Sequence, residues 1–244
     1  MITRRQVLKL GAFGPGVALA LTILGLGAAR GATPQIATPP AKVTHGGHSA
    51  APVGRIVAAP AASPAFRPFA APLPIPPTLK PTATDETTDY YDLTMRENRV
   101  EILPGLQTPV WGFDGVFPGP TIRAVRGRQA IIRQTNMLPE AMSVHLHGGH
   151  QVADSDGHPS DPIAPGATRE YRYPNAQPAA TLWYHDHAML KTAPHIWKGL
   201  AGFYLLEDPA EAALNLPSGD YDIPLIIQDR RFNADGSFYY PPAG

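Results

Sequence analysis

Two copies of a His-x-His motif are the residues of this sequence best suited to chemistry, His145-Leu146-His147 and His185-Asp186-His187. Alternate residues of a β-strand point to the same face, so each motif can direct two imidazoles to one place, about 6–7 Å apart. Neutral imidazole is the common protein ligand of copper and zinc. A single metal ion rarely needs two such pairs, so the motifs predict a pocket in which four histidines hold several metal ions.

Cysteine is absent from all 244 residues. Copper centres that take electrons from organic substrates are normally held by two histidines and a thiolate. This chain supplies no thiolate and therefore cannot build such a centre by itself. The formal net charge is zero, which gives no indication of binding to nucleic acid.

Other interpretations of these histidines are a zinc site and a structural role. A zinc-dependent hydrolase usually carries His-Glu-x-x-His on a helix, and this signature is absent. Histidines can also complete hydrogen-bond networks at a sandwich edge, but four of them in two matched pairs favour metal binding. Five further histidines are predicted not to bind metal tightly, the first two in a solvated linker and the others in surface loops: His45, His48, His150, His158 and His195.

Short β-rich runs separated by turn residues occupy residues 85–215. Regular short strands with glycine and proline between them are typical of a Greek-key β-sandwich. A short helix is expected at Pro209–Leu214, since Asp208 is a good N-cap residue. We therefore predict an all-β domain with strands at Tyr90–Met95, Val100–Leu103, Val110–Phe113, Thr121–Val125, Gln129–Gln134, Ser143–His147, Arg169–Tyr173, Thr181–His185 and Gly202–Leu206.

The first residues predict export. A basic segment with paired arginines, Thr3–Lys9, precedes an apolar run from Leu10 to about Ala29. This pattern resembles a twin-arginine signal over residues 1–31, which would deliver the protein to the periplasm or the cell exterior and leave no stable membrane span after cleavage. An ordinary secretory signal or an uncleaved anchor is the alternative.

Two segments flank the predicted domain. Residues 32–84 are rich in alanine and proline, so they cannot bury enough surface to offset their ordering entropy, and we predict a disordered linker. After the domain, Asp222–Gln228 is predicted to be a strand and Asn233–Gly236 a hairpin turn. Residues 216–244 are therefore expected to begin a second domain, which makes the sequence the N-terminal part of a longer protein.

Three segments closely resemble the first cupredoxin domain of multicopper oxidases, above all the branch of spore-coat laccases and bilirubin oxidases: His145–Gly149, Asp154–Pro159 and Thr181–Met189. Supporting similarity comes from Phe117–Ile122, Gly199–Tyr204 and Tyr221–Ile226. The resemblance extends from about residue 88 to the end of the sequence. Its histidine motifs are highly specific for this family.

The resemblance implies an enzyme that oxidises a reducing substrate by single electrons and reduces dioxygen to water at a trinuclear copper cluster. Asp156 matches an acidic residue that helps supply protons to the oxygen intermediates, with an ordinary turn residue as its alternative role. Asp186 is assigned no metal, because its side chain should point away from the ligand face. The implied copper ligands are His145 on the type 2 copper, His147 and His185 on one type 3 copper, and His187 on the other.

The same resemblance identifies what this sequence lacks. In the family, the type 1 copper ligands and four more cluster histidines come from a C-terminal domain with a His-Cys-His segment and a further His-x-His segment. Apart from the two His-x-His motifs named above, neither kind of segment is present here. We therefore expect the chain alone to be inactive and the missing domain to complete it. The reducing substrate is a phenol, a bilirubin-like pigment or a metal ion. The alternative is a non-catalytic, exported copper-binding cupredoxin remnant.

Overall fold

The fold is a β-sandwich built from two sheets. A computed structural model describes residues 62–241, and the predicted signal, residues 1–31, lies outside this range. The described residues form nine strands and one α-helix: β1 (Ala83–Thr84), β2 (Thr88–Glu101), β3 (Gln107–Phe113), β4 (Gly119–Val125), β5 (Gln129–Asn136), β6 (Val144–His147), β7 (Thr168–Tyr173), β8 (Ala180–Asp186), α1 (Thr192–Lys198) and β9 (Ala201–Glu207).

The two sheets exchange strands along the chain. The first sheet contains β1, β2, β3, β5 and β7, and the second contains β4, β9, β8 and β6 in that spatial order. From β3 to β8 each successive strand lies in the opposite sheet, which gives the parallel pairs β2–β5 and β4–β9. This alternation is a Greek-key-like arrangement, and the predicted all-β, cupredoxin-like sandwich is confirmed.

The core between the sheets decides which way the histidine motifs face. In β6, Val144 and Leu146 are buried in the core, and the two histidines alternate with them along the strand. In β8, Leu182 and Tyr184 belong to the same core. Since neighbouring residues of a strand point to opposite faces, the odd-numbered residues of both strands project away from the core. Core packing therefore orients both motifs to one side of the second sheet.

Most predicted elements are present, but several differ from the prediction. The predicted strand Tyr90–Met95 lies within the single long strand β2, which ends at Glu101 and so includes only the first two residues of the predicted strand Val100–Leu103. The predicted helix at Pro209–Leu214 is a 3-10 helix, and Asp208 forms a capping box with Glu211. Helix α1 was not predicted, since its seven residues are too few to show an apolar repeat.

The segment predicted as a linker meets the sandwich before its expected end at residue 84. The Leu79 amide donates to the Thr121 carbonyl at 2.8 Å, and the Thr121 amide donates to the Pro77 carbonyl at 2.8 Å. Leu79 also packs against the core, and β1 pairs with β2. Contact with the domain therefore begins earlier than composition suggested.

The predicted strand Asp222–Gln228 is wrong, because these residues form no strand pairing in the described part of the chain. Leu225 and Ile227 are 59% and 98% exposed there, so no neighbouring strand covers them. The predicted turn after it is confirmed: the Gly236 amide donates to the Asn233 carbonyl at 3.0 Å, and Phe232 bridges to Phe238. Between residues 62 and 241, none of the helices has the length and apolar character needed to cross a membrane.

Candidate metal centre

The pairing of β6 with β8 brings the two His-x-His motifs together. In this antiparallel pair, His145 lies opposite His185, and His147 lies opposite Trp183. Residues opposite each other project to the same face, so three imidazoles converge at the edge of the second sheet. His187 follows the last residue of β8 and turns back toward the same place. We call His145, His147, His185 and His187 the histidine cluster.

The four rings of the histidine cluster are mutually close. The ring centroid of His145 lies 5.6 Å from that of His147, 5.5 Å from that of His185 and 5.0 Å from that of His187. One potential ligand atom from each of the first three residues of the cluster falls within 4.8 Å of the others. His185 is buried, His145 and His187 are half-buried, and His147 is exposed, so the cluster opens to one side.

Backbone carbonyls fix the ring nitrogens of three of these histidines. The Nδ1 atom of His145 donates to the Asp156 carbonyl at 2.6 Å, and that of His185 donates to the Asp186 carbonyl at 2.8 Å. His187 makes a longer bond of 3.3 Å to the Gly157 carbonyl. A carbonyl only accepts, so Nδ1 carries the proton in each ring and Nε2 is left free as a ligand atom.

His147 is oriented the other way. Its Nδ1 atom lies 3.4 Å from Nε2 of His185. The indole of Trp183 stacks on both rings, with centroid distances of 4.1 Å to His185 and 5.2 Å to His147. Trp183 therefore lines the cluster, whereas Tyr184 is a core residue whose hydroxyl donates to the Pro120 carbonyl at 2.6 Å.

Burial is the main cause that lowers the pKa of His185 from 6.5 to about 4; the hydrogen bond to the Asp186 carbonyl partly opposes this shift, and the neighbouring imidazoles of the cluster contribute to it. At neutral pH the ring is therefore uncharged. A neutral imidazole is the form that binds a metal ion.

Asp156 lies beside the cluster, as its match to the family predicts. Its carboxylate Oδ1 atom is 3.5 Å from Nδ1 of His145 and accepts a hydrogen bond from Nε2 of Gln151 at 2.7 Å. Gln151 also donates to the Leu146 carbonyl at 3.2 Å, so the amide connects Asp156 to strand β6. Sequence reasoning missed Gln151, because an isolated glutamine in a loop carries no pattern.

The other histidines divide into exposed and buried residues. His150 and His158 are exposed, as predicted for loop residues. The prediction for His195 was wrong: it lies in α1, is only 1% exposed, and its Nδ1 atom is 2.9 Å from Oδ2 of Asp186. As expected, the Asp186 side chain points away from the cluster, and it is completely buried. His45 and His48 lie outside the described residues.

Comparison with known proteins agrees with this architecture. Residues 94–211 match the multicopper oxidase family. The laccase of Bacillus subtilis (strain 168) is 40% identical over 185 residues, which cover 63% of this chain and 36% of the laccase. The bilirubin oxidase of Albifimbria verrucaria is 44% identical over 151 residues, which cover 61% of this chain and 26% of that enzyme.

Solved structures show the same fold. The crystal structure of a laccase from Pediococcus acidilactici superposes with a TM-score of 0.67 at 32% identity, covering 74% of this chain and 39% of that one. The fold and the histidine cluster thus define a cupredoxin-like domain with imidazoles gathered at one sheet edge. Over residues 94–211 the chain carries a domain of the multicopper oxidase family, a family of copper-dependent oxidoreductases. It spans about a third or less of the length of the two curated relatives.

Proposed function

We propose that this chain supplies half of the trinuclear copper site of an exported, laccase-type multicopper oxidase. The complete enzyme would couple one-electron oxidation of a reducing substrate to the four-electron reduction of dioxygen to water. The observation that carries the proposal is the histidine cluster itself, four imidazoles converging at one sheet edge of a domain from this family.

The donors of the cluster fit copper. All four are imidazoles, and three have Nε2 free while the fourth, His147, directs Nδ1 inward. Two nitrogens bound to one ion at about 2.0–2.1 Å stand about 3.3 Å apart in tetrahedral geometry. The free nitrogens of His147 and His185 are 3.4 Å apart, which supports assigning both to one type 3 copper. The family resemblance assigns His187 to the other type 3 copper and His145 to the type 2 copper.

Bound copper would supply one-electron redox chemistry and a binding place for dioxygen. The residues of this chain hold the ligands in position and manage protons. Reduction of one dioxygen to two waters consumes four electrons and four protons. The Asp156 carboxylate is placed to deliver protons, since it is partly exposed to solvent on one side and lies against His145 on the other. Gln151 holds that carboxylate in place.

Asp156→Asn tests the proton role. In the complete oxidase we expect the rate of oxygen consumption to fall by about 100-fold or more, because general acid catalysis typically contributes 10²–10⁴-fold. Copper content should stay unchanged, since the Asp156 carbonyl that orients His145 remains. Asp154→Asn is the matched control, because this exposed carboxylate lies in the same loop. Equal rates for the two variants would remove Asp156 from the mechanism.

Electrons must enter through a centre that this sequence does not encode, because it has no cysteine for a type 1 copper. The reducing substrate therefore binds to another part of the complete protein. It is a phenol, a pigment or a metal ion. In the proposed organisation, residues 1–31 are an export signal, residues 85–215 are the first cupredoxin domain and residues 216–244 begin the next.

The deciding experiment measures copper content and oxygen consumption of the purified chain and of the polypeptide encoded up to the next stop codon in its source DNA. If the longer polypeptide holds about four coppers and consumes oxygen with a phenolic donor, the proposal stands. If no longer reading frame exists and the chain binds copper without turnover, it is a non-catalytic copper-binding protein and the oxidase assignment fails. A chain that binds no copper contradicts both functions.

A further inference from the structure

Asp186 stands between the two ligands of one His-x-His motif in the sequence. Its carboxylate is nevertheless buried and contacts neither ring. It is 0% exposed. Oδ1 accepts from the Ser143 amide at 2.9 Å, and Oδ2 accepts from the Ala188 amide at 3.2 Å and from Nδ1 of His195 at 2.9 Å. A buried carboxylate is tolerated only when donors surround it.

These donors come from three segments of the chain that surround the end of β8. Ser143 immediately precedes β6, Ala188 follows His187, and His195 belongs to α1. The His187 amide in turn donates to the Ser143 carbonyl at 2.6 Å. The carboxylate therefore ties the segment that carries His187 to both the neighbouring strand and the helix.

His187 needs such support more than His145 and His185 do. His145 and His185 lie opposite each other within paired strands, whereas His187 lies just beyond the end of β8. Its Nδ1 bond to the Gly157 carbonyl, at 3.3 Å, is also longer than the corresponding bonds of His145 and His185, at 2.6 and 2.8 Å. Of the three rings held by backbone carbonyls, that of His187 is therefore held least tightly.

His195 is in turn fixed from several sides. It is 1% exposed, and its ring centroid lies 5.2 Å from that of Trp111. Its Nε2 atom lies 3.4 Å from Oε2 of Glu140, which pairs with Lys191 at 2.7 Å. Lys198 lies 3.3 Å above the Trp111 ring and 3.7 Å from Glu140. This surrounding network holds the imidazole in the orientation that donates to Asp186.

We propose that Asp186 and His195 form a positioning pair that sets the orientation of the His187 imidazole and thereby the spacing of the histidine cluster. The inference rests on the proposed function of the cluster as a copper site. Neither residue touches the metal; each acts through the backbone around His187. Groups that orient metal ligands in this way commonly control metal affinity by about 10–100-fold.

Two substitutions of His195 distinguish the effect of its hydrogen bond to Asp186 from the effect of side-chain size. His195→Asn places an amide N–H near the position of Nδ1, so the bond to Asp186 is kept. His195→Gln places its amide near the position of Nε2, so that bond is lost while size and polarity are retained. Asp186→Asn disrupts the same contact from the other side. His150→Leu is the control, since His150 is exposed and lies outside the pair.

The first measurement is the tautomer of each histidine ring by long-range ¹H–¹⁵N NMR of the metal-free chain, with the His187 signals assigned from His187→Gln. We expect the Nδ1–H form of His187 in the wild type, in His195→Asn and in the control, and a mixture of tautomers in His195→Gln and Asp186→Asn. The His145 signals should not change in any of them, which a general loss of structure would not permit.

The second measurement is Cu²⁺ affinity of the same proteins, which we expect to fall by about 10–100-fold in His195→Gln and Asp186→Asn and to be restored in His195→Asn. The inference is overturned if His195→Gln and Asp186→Asn retain the His187 tautomer. It is equally overturned if His195→Asn and His195→Gln lose the same affinity. A wild-type chain that binds no copper contradicts the proposed function instead, and the NMR result still decides whether the pair positions His187.

Discussion

We expect His145→Ala and His187→Ala each to abolish oxygen reduction in the complete oxidase proposed above, while the blue absorption of its type 1 copper remains. We expect the rate of oxygen consumption to fall by more than about 100-fold, beyond the range seen when only groups around the ligands are changed. The reason is that each substitution removes one of the four imidazoles that this domain contributes to the cluster. We expect the type 1 copper of the proposed oxidase to be unaffected, because its thiolate cannot come from this cysteine-free chain.

Oxygen electrode rates, copper analysis and visible absorption of the purified variants check this expectation. His158→Ala is the matched control, since this exposed histidine bonds through its ring to Ser160 and not to the cluster. Its oxygen consumption should equal that of the wild type. Retained oxidase activity in either cluster variant would refute the assignment of that histidine as a copper ligand.

Gly157→Ala destabilises the domain strongly, because two requirements for glycine meet at this position. Its φ of +71° lies in the left-handed region, and an added Cβ would stand 2.1 Å from the Val144 carbonyl oxygen and 2.8 Å from the His145 amide nitrogen. Backbone strain and forced repacking each cost about 1–3 kcal/mol. We expect the free energy of unfolding to fall by about 3 kcal/mol or more, and copper affinity to fall with it, since the Gly157 carbonyl orients His187.

Gly166→Ala separates the clash from the backbone strain. Gly166 has a similar φ of +78°, but its added Cβ would meet nothing within 4 Å. Only the left-handed conformation is penalised there, at about 1–2 kcal/mol. Chemical denaturation of both variants measures the difference. Equal losses of stability would show that β6 tolerates the added methyl group and that the close approach of Gly157 to Val144 is unimportant.

The sequence predicted the sandwich and the common orientation of the histidine motifs because both depend on local alternation. Strands with apolar residues at every second position must bury one face, and the His-x-His motifs on β6 and β8 then project from the other face. The position of Asp156 beside His145 also agrees with the prediction from family resemblance. The strand predicted at Asp222–Gln228 failed, because a strand needs a partner and local pattern does not provide one.

Which residues of the two motifs meet is a property of the tertiary structure. The register that places His145 opposite His185 depends on pairing between strands about 40 residues apart, which no local pattern specifies. The same holds for His195, which looked like a loop residue and is instead buried against Asp186 by the packing of α1. By itself the sequence determined which side chains are able to bind copper and which face they occupy. Only the packing of distant segments decided their spacing, their free nitrogens and the buried groups that hold them.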